Sequence, residues 1–209
     1  MGTLVFFDLE TGGTKWWPHR LNAATVPMNP IIQIGAIAVD ERTFEEIEVF
    51  ERKIRFDPSH AELEALAMNS YNAETWEKEA VPDHQARRSF DSFLRRHSSI
   101  EKVSRNGDPY QIASLAGHNA AAFDLPFLRA WYEQVGWFLP AAFQVLDTMI
   151  LARVYAEFTF SRFENYRLQS ICEALDVQPG DHDALADVRA TVGIARKMLG
   201  TLRPLAAHR

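Results

Sequence analysis

The chain has 209 residues, 47% hydrophobic and 24% charged, an ordinary globular balance with enough apolar material for one sizeable core. Its formal net charge of -6 argues against a nucleic-acid binder that works by bulk basic charge, though not against a site that carries its own cations. The single cysteine, Cys172, excludes an internal disulfide framework and a Cys-based zinc site. It sits among Leu168, Ile171 and Leu175 at helical spacing and reads as a core thiol, which fits a reducing cytoplasm. No apolar run approaches a membrane span, and the start lacks the basic region and cleavage site of a signal peptide. A cytoplasmic protein with no membrane contact is therefore expected, folded as one domain over residues 1–209.

In chain order, Leu4-Val5-Phe6-Phe7 is an unbroken apolar run, the mark of a strand buried on both faces. Asp8 and Glu10 leave that strand two residues apart, so its period of 2 points both to one side and turns Leu9 toward the core. Two adjacent acids at a strand end are costly without a cation between them, and a divalent metal supplies one. A strand that ends in a polar turn at Gly12-Gly13 explains these few residues equally well. Residues 14–30 show no period, contain three prolines and read as a long loop. Ile31 to Val39 is a second strand, and Ile47 to Ile54 a third. The turn at residues 40–46 makes these two an antiparallel hairpin.

Helices follow at about Ala61 to Ala67 and from Pro82 to about His97, the latter with Phe90, Phe93 and Leu94 on its apolar face. Ile100 to Ala113, centred on Asn-Gly-Asp-Pro, reads as turn and loop. Ser114 to Gly117 is a short strand leading into His118-Asn119-Ala120-Ala121-Ala122-Phe123-Asp124. A helix starts near Asp124 and runs to about Gly136, so Asp124 serves equally as an N-cap, and His118 and Asn119 as polar residues that satisfy loop backbone. Phe143 to Leu146 is a strand, with Asp147 capping the helix after it. Arg167 to Leu175 is a further helix. The last begins near Asp183, leaving His182 on the loop before it and Asp187 one turn in.

Three blocks thus occur in order: Asp-Leu-Glu-Thr-Gly-Gly at residues 8–13, His-Asn-Ala-Ala-Ala-Phe-Asp ending at Asp124, and His-Asp-Ala-Leu-Ala-Asp from His182 to Asp187. Together they resemble the DEDDh family of 3′-to-5′ exonucleases, which includes proofreading subunits, oligoribonucleases, ribonuclease T and Trex enzymes. Ile31-Ile32-Gln33-Ile34-Gly35 and Asp147-Thr148 also look like the family, and the resemblance covers nearly the whole chain. There are two departures. Three residues separate Asn119 from Phe123, a spacing more like the Trex-type relatives, and the 14–30 loop is longer than usual.

The resemblance implies an α/β, ribonuclease-H-like fold: a central mixed five-stranded sheet, its first three strands antiparallel, flanked by helices. It implies two-metal phosphodiester hydrolysis at nucleic-acid 3′ ends, releasing nucleoside 5′-monophosphates. Asp8 is then shared by both ions, Glu10 and Asp187 complete the first, Asp124 supports the second, and His182 is the general base. An all-oxygen set suits Mg²⁺ or Mn²⁺, two ions per site. Leu9, Thr11 and Gly12 would border the terminal nucleotide on one side, Asn119 and Phe123 on the other. Single-stranded DNA and RNA are both open as substrates, as are a homodimer and a polymerase partner. The rival from another class is a non-catalytic nucleic-acid-binding or polymerase-partner module on the same fold. Trp16 and Trp17, with Lys15, His19 and Arg20 nearby, either stack on single-stranded bases or pin their loop to the core.

Overall fold

The computed structural model describes residues 2–207 except 18, 22, 23, 27, 70 and 181. Strands are β1 (Thr3–Thr11), β2 (His19–Leu21), β3 (Ala24–Val26), β4 (Ile31–Asp40), β5 (Glu46–Lys53), β6 (Ser98–Val103), β7 (Pro109–Gly117) and β8 (Ala141–Asp147). Helices are α1 (Leu63–Met68), α2 (Ala73–Glu79), α3 (Asp83–Arg96), α4 (Asp124–Glu133), α5 (Thr148–Thr159), α6 (Leu168–Ala174) and α7 (Ala184–Ala207). No helix among the described residues is long and apolar enough to cross a membrane.

The main sheet is mixed. β1, β4 and β5 form an antiparallel meander, and β7 and β8 add parallel strands beyond β1. β6 brings the strand count to six rather than five, and it joins through an extended β7. The first half of β7 pairs antiparallel with β6, its second half with β1 and β8, and the Ser99 hydroxyl donates to Thr3 O beside the start of β1. The 100–113 segment, read as loop, is thus a hairpin. Asn106-Gly107-Asp108 is its turn, but Glu101, Lys102, Tyr110 and Gln111 are exposed, so no apolar alternation betrays the strands. The 14–30 segment likewise contains the two-stranded β2–β3 pair.

The alternation of β1 sets which helix covers which face. Val5, Phe7 and Leu9 pack with Phe90, Phe93 and Leu94 of α3 and Phe127, Leu128 and Trp131 of α4. Leu4 and Phe6 point the other way, onto Leu185, Val188 and Val192 of α7. Each such side chain contributes about 1.5–3 kcal/mol on burial. Asp8 and Glu10 continue the Leu4–Phe6 register, so the α7 face turns from apolar to acidic toward the end of β1. On the far side of α7, Ala190, Ile194 and Met198 meet Ala152 of α5 and Ile171 and Cys172 of α6. Cys172 is the core thiol expected, and burial pushes its pKa up to about 11.

Candidate active site

Asp8 pairs with Gly35 across β1–β4, and Glu10 with Gln33. Because Gly35 has no side chain, the start of α7 lies directly on β4. A Cβ there would stand 2.5 Å from the Ala184 carbonyl carbon. Gln33, almost fully buried, donates through Nε2 to Asp183 Oδ2 at 2.9 Å, and Asp183 Oδ1 accepts the Ala186 N–H at 3.0 Å as the α7 cap. Sheet and helix are therefore locked where Asp187 meets Asp8 and Glu10. One carboxylate oxygen from each of the three lies within 4.8 Å of the others. Gly180 passes so close to the Asp187 carboxylate that it leaves no room for a side chain.

Asp124 reaches the group from α4. It is buried, and its Oδ1 accepts the Leu9 N–H at 3.1 Å, tying the helix start to the strand between the two other acids. The loop before it is stapled by Asp147. That carboxylate caps α5 through Met149 N, as expected, and also accepts the N–H groups of Asn119 (3.0 Å) and Ala121 (3.2 Å). His118 satisfies loop backbone, with Nδ1 3.0 Å from Thr148 Oγ1 and Nε2–H donating to Tyr166 O at 3.0 Å. Burial holds its pKa below the usual histidine value.

The acids are crowded. Burial, then Asp124, Glu10, Asp187 and Asp183, raise the Asp8 pKa well above the carboxylate range. Burial and then Asp187, Asp124 and Asp183 push Glu10 up to about 8. Asp124 rises to about 7 through burial, opposed by the Leu9 N–H. The charged groups that raise the Asp8 and Glu10 pKa values are all acids, a donor set whose chemistry suits hard cations.

These acids line a cleft of about 670 Å³. His182 lies on its rim, exposed, with a left-handed backbone (φ 54°), and Asn119 in the same cleft is also left-handed (φ 58°). Non-glycine residues held this way concentrate at functional sites. Leu9, Thr11, Asn119 and Phe123 line the cleft as well. Leu9 remains a core residue, and it is its backbone that faces Asp124. Gly12 does not line the cleft. Its N–H donates to Pro30 O, so that donor is engaged, and its carbonyl accepts from Glu62 N. Trp16 and Trp17 lie outside the cleft lining, edge to face with ring centres 4.7 Å apart. They are 37% and 47% exposed, so each is part buried and part open to solvent. Lys15 pairs with Glu62, while the side chains of His19 and Arg20 fall outside the described residues. Sequence reasoning missed the structural roles of Gln33, Asp183 and Gly180, whose partners lie in distant segments.

A mixed sheet sandwiched by helices, with acids gathered toward the end of its first strand, defines a ribonuclease-H-like α/β domain. The chain belongs to the exonuclease family, whose RNase T model matches residues 5–195. DNA polymerase III PolC-type of Halalkalibacterium halodurans is 27% identical over 201 residues, 93% of this chain and 11% of that protein. The Listeria monocytogenes protein of the same name is 29% identical over 200 residues, 94% and 11%. Among solved structures, E. coli exonuclease I in complex with a dT13 oligonucleotide matches with a TM-score of 0.74 at 18% identity, covering 100% of this chain and 43% of that one. The zinc-bound form of the E. coli enzyme with single-stranded DNA gives 0.73 at 18%, with 98% and 41% covered. The chain thus spans about a tenth of the PolC-type relatives and under half of exonuclease I.

Proposed function

We propose that this domain is a metal-dependent 3′-to-5′ exonuclease of the DEDDh type, removing nucleoside 5′-monophosphates from a nucleic-acid 3′ end. The observation that carries this reading is the convergence of Asp8, Glu10 and Asp187 oxygens within 4.8 Å, beside Asp124, in a cleft with His182 on its rim. Asp8, Glu10, Asp124 and Asp187 would hold two divalent cations, Mg²⁺ or Mn²⁺, which supply charge neutralisation for in-line displacement at phosphorus. By the family resemblance, Asp8 would contribute to holding both. His182, free on its loop, takes the proton of the attacking water. Asn119 and Phe123 border the terminal nucleotide opposite Leu9 and Thr11. The 3′ polarity is carried from the family resemblance. Single-stranded DNA is the first substrate to try, since exonuclease I structures contain it.

The test is digestion of 5′-labelled single-stranded DNA, double-stranded DNA and RNA with Mg²⁺ or Mn²⁺. A ladder shortening from the 3′ end, abolished by EDTA and by Asp8→Ala, is the expected result. Undiminished cleavage by Asp8→Ala in metal-free buffer would refute the mechanism. Binding without any cleavage would favour a non-catalytic module, the reading that PolC-type polymerase relatives make worth testing.

A further inference from the structure

The cleft has an electrostatic problem. Its lining includes Asp8, Glu10, Glu62, Glu64, Asp124 and Asp187, and a nucleic acid is a polyanion. Cations at the acid cluster answer only the scissile phosphate, and the rest of the strand must pass the same acidic walls. Lys15, the nearby lysine, is taken up by Glu62 at 2.7 Å. Among the described residues that line the cleft, Arg167 is the only arginine or lysine. Its side chain is exposed and makes no hydrogen bond, ion pair or ring contact with the described residues.

The backbone beneath that free guanidinium is fastened. Tyr166 O accepts from His118, whose other ring nitrogen meets Thr148, so the segment is moored to the loop that carries Asn119. The Tyr166 ring lies under the Arg153 guanidinium at 4.9 Å and against Phe163. The Arg167 N–H donates to Asn165 Oδ1 at 2.9 Å. A fixed main chain carrying one unpartnered cation into an acidic cleft differs from an ordinary solvated arginine, whose anchor and surroundings would be unconstrained. A guanidinium offers a planar fork of donors that matches a phosphodiester.

We propose that Arg167 is a substrate-binding residue that grips one backbone phosphate of the strand lying in the cleft, on the wall formed by the residues before α6. The proposal rests on the exonuclease reading for the nature of the ligand, but not on cleavage. It makes Arg167 a contributor to affinity rather than to the chemical step.

The test is fluorescence anisotropy of the full chain in EDTA with short 5′-labelled DNA and RNA single strands, each 3′-proximal phosphate replaced in turn by a neutral methylphosphonate. Arg167→Gln should weaken binding about ten- to a hundred-fold, the usual worth of a charge-assisted contact. It should also flatten the log–log salt dependence by about 0.7, as expected for one lost contact to a single strand. One methylphosphonate position should weaken the wild type and leave Arg167→Gln unaffected, while Arg167→Lys recovers part of the affinity. In digestion, KM should rise with kcat nearly unchanged. Unaltered binding by Arg167→Gln overturns the proposal, as does a loss that is the same at every substituted phosphate, or wild-type protein that binds neither strand. Cleavage that ignores Arg167 sinks the proposal alone. Linkage-specific binding without cleavage sinks the nuclease reading alone.

Discussion

Gly35→Ala isolates the coupling between sheet and helix on which the acid cluster depends. The added methyl would stand 2.5 Å from the Ala184 carbonyl carbon and 2.6 Å from Leu185 N, where ordinary contact begins at 3.4 Å. These neighbours are helix backbone and cannot swing aside as a flexible side chain would, so the first turn of α7 must retreat by roughly 1 Å, a displacement that in an active site costs on the order of 100-fold in rate. Overpacking of this kind costs about 1–3 kcal/mol, and the lower unfolded-state entropy of alanine offsets about 0.4–1 kcal/mol of it. The expected variant is destabilised by about 1–2 kcal/mol in urea titration and about 100-fold slower in single-turnover digestion at saturating cation. Gly200→Ala is the control in the same helix. A Cβ there meets nothing within 4 Å, so it should gain about 0.4–1 kcal/mol and keep its rate. Wild-type rate and stability in Gly35→Ala would refute the packing argument. Lost stability with an intact rate would show that the acids tolerate the displaced helix.

Three further outcomes are expected. Glu10 titrates near 8 when folded against an ordinary 4.5, so between those pH values the unfolded chain has released a proton that the metal-free fold retains, and that fold loses stability as pH rises. A divalent cation displaces the proton, so the gain in melting temperature on adding Mg²⁺ should grow from pH 6 to pH 8; a gain that is flat or shrinks with pH contradicts the site. His182→Ala should lose about 10²–10⁴-fold in kcat with little change in KM, as for a general base, and a KM effect without a kcat effect would assign it to binding instead. Trp16→Ala and Trp17→Ala separate the two roles open to their loop: a raised KM for single strands at an unchanged melting temperature would mark them as a stacking platform, and a lowered melting temperature with an unchanged KM would make them anchors of the loop.

What the sequence reveals and what it hides follow one physical rule. Segments with a buried face are legible. β1 and β4 are near-continuous apolar runs because helices cover both faces of the sheet, and α3 and α7 carry apolar residues at a period of 3.6. β6, the exposed start of β7 and α2 are not legible, because little of them is buried: α2 buries only Trp76, whose Nε1–H reaches Ile32 O, and one residue cannot display a period. The acids and His182 were readable as blocks of motif. Their setting was not. Asp147 looks like a helix cap and is one, but its second task, holding the Asn119 loop, depends on a neighbour 28 residues away in sequence. Gln33 in a strand and Gly180 in a loop likewise acquire meaning only when α7 docks.

The seating of α7 on Gly35 and Gln33 also joins segments far apart in the chain. The meander of β1, β4 and β5 is local and can pair early, whereas Asp187 arrives on a helix from near the other end of the chain, and contacts so far apart in sequence form slowly. Until α7 seats on Gly35, Asp8 and Glu10 lie on a strand face still open to water, where their charges are screened and their protons are released at ordinary acidity. The crowding of the acids is therefore created when α7 docks. A nascent chain still lacking that helix would carry Asp8, Glu10 and Asp124 without Asp187, and so without the complete cluster of acids.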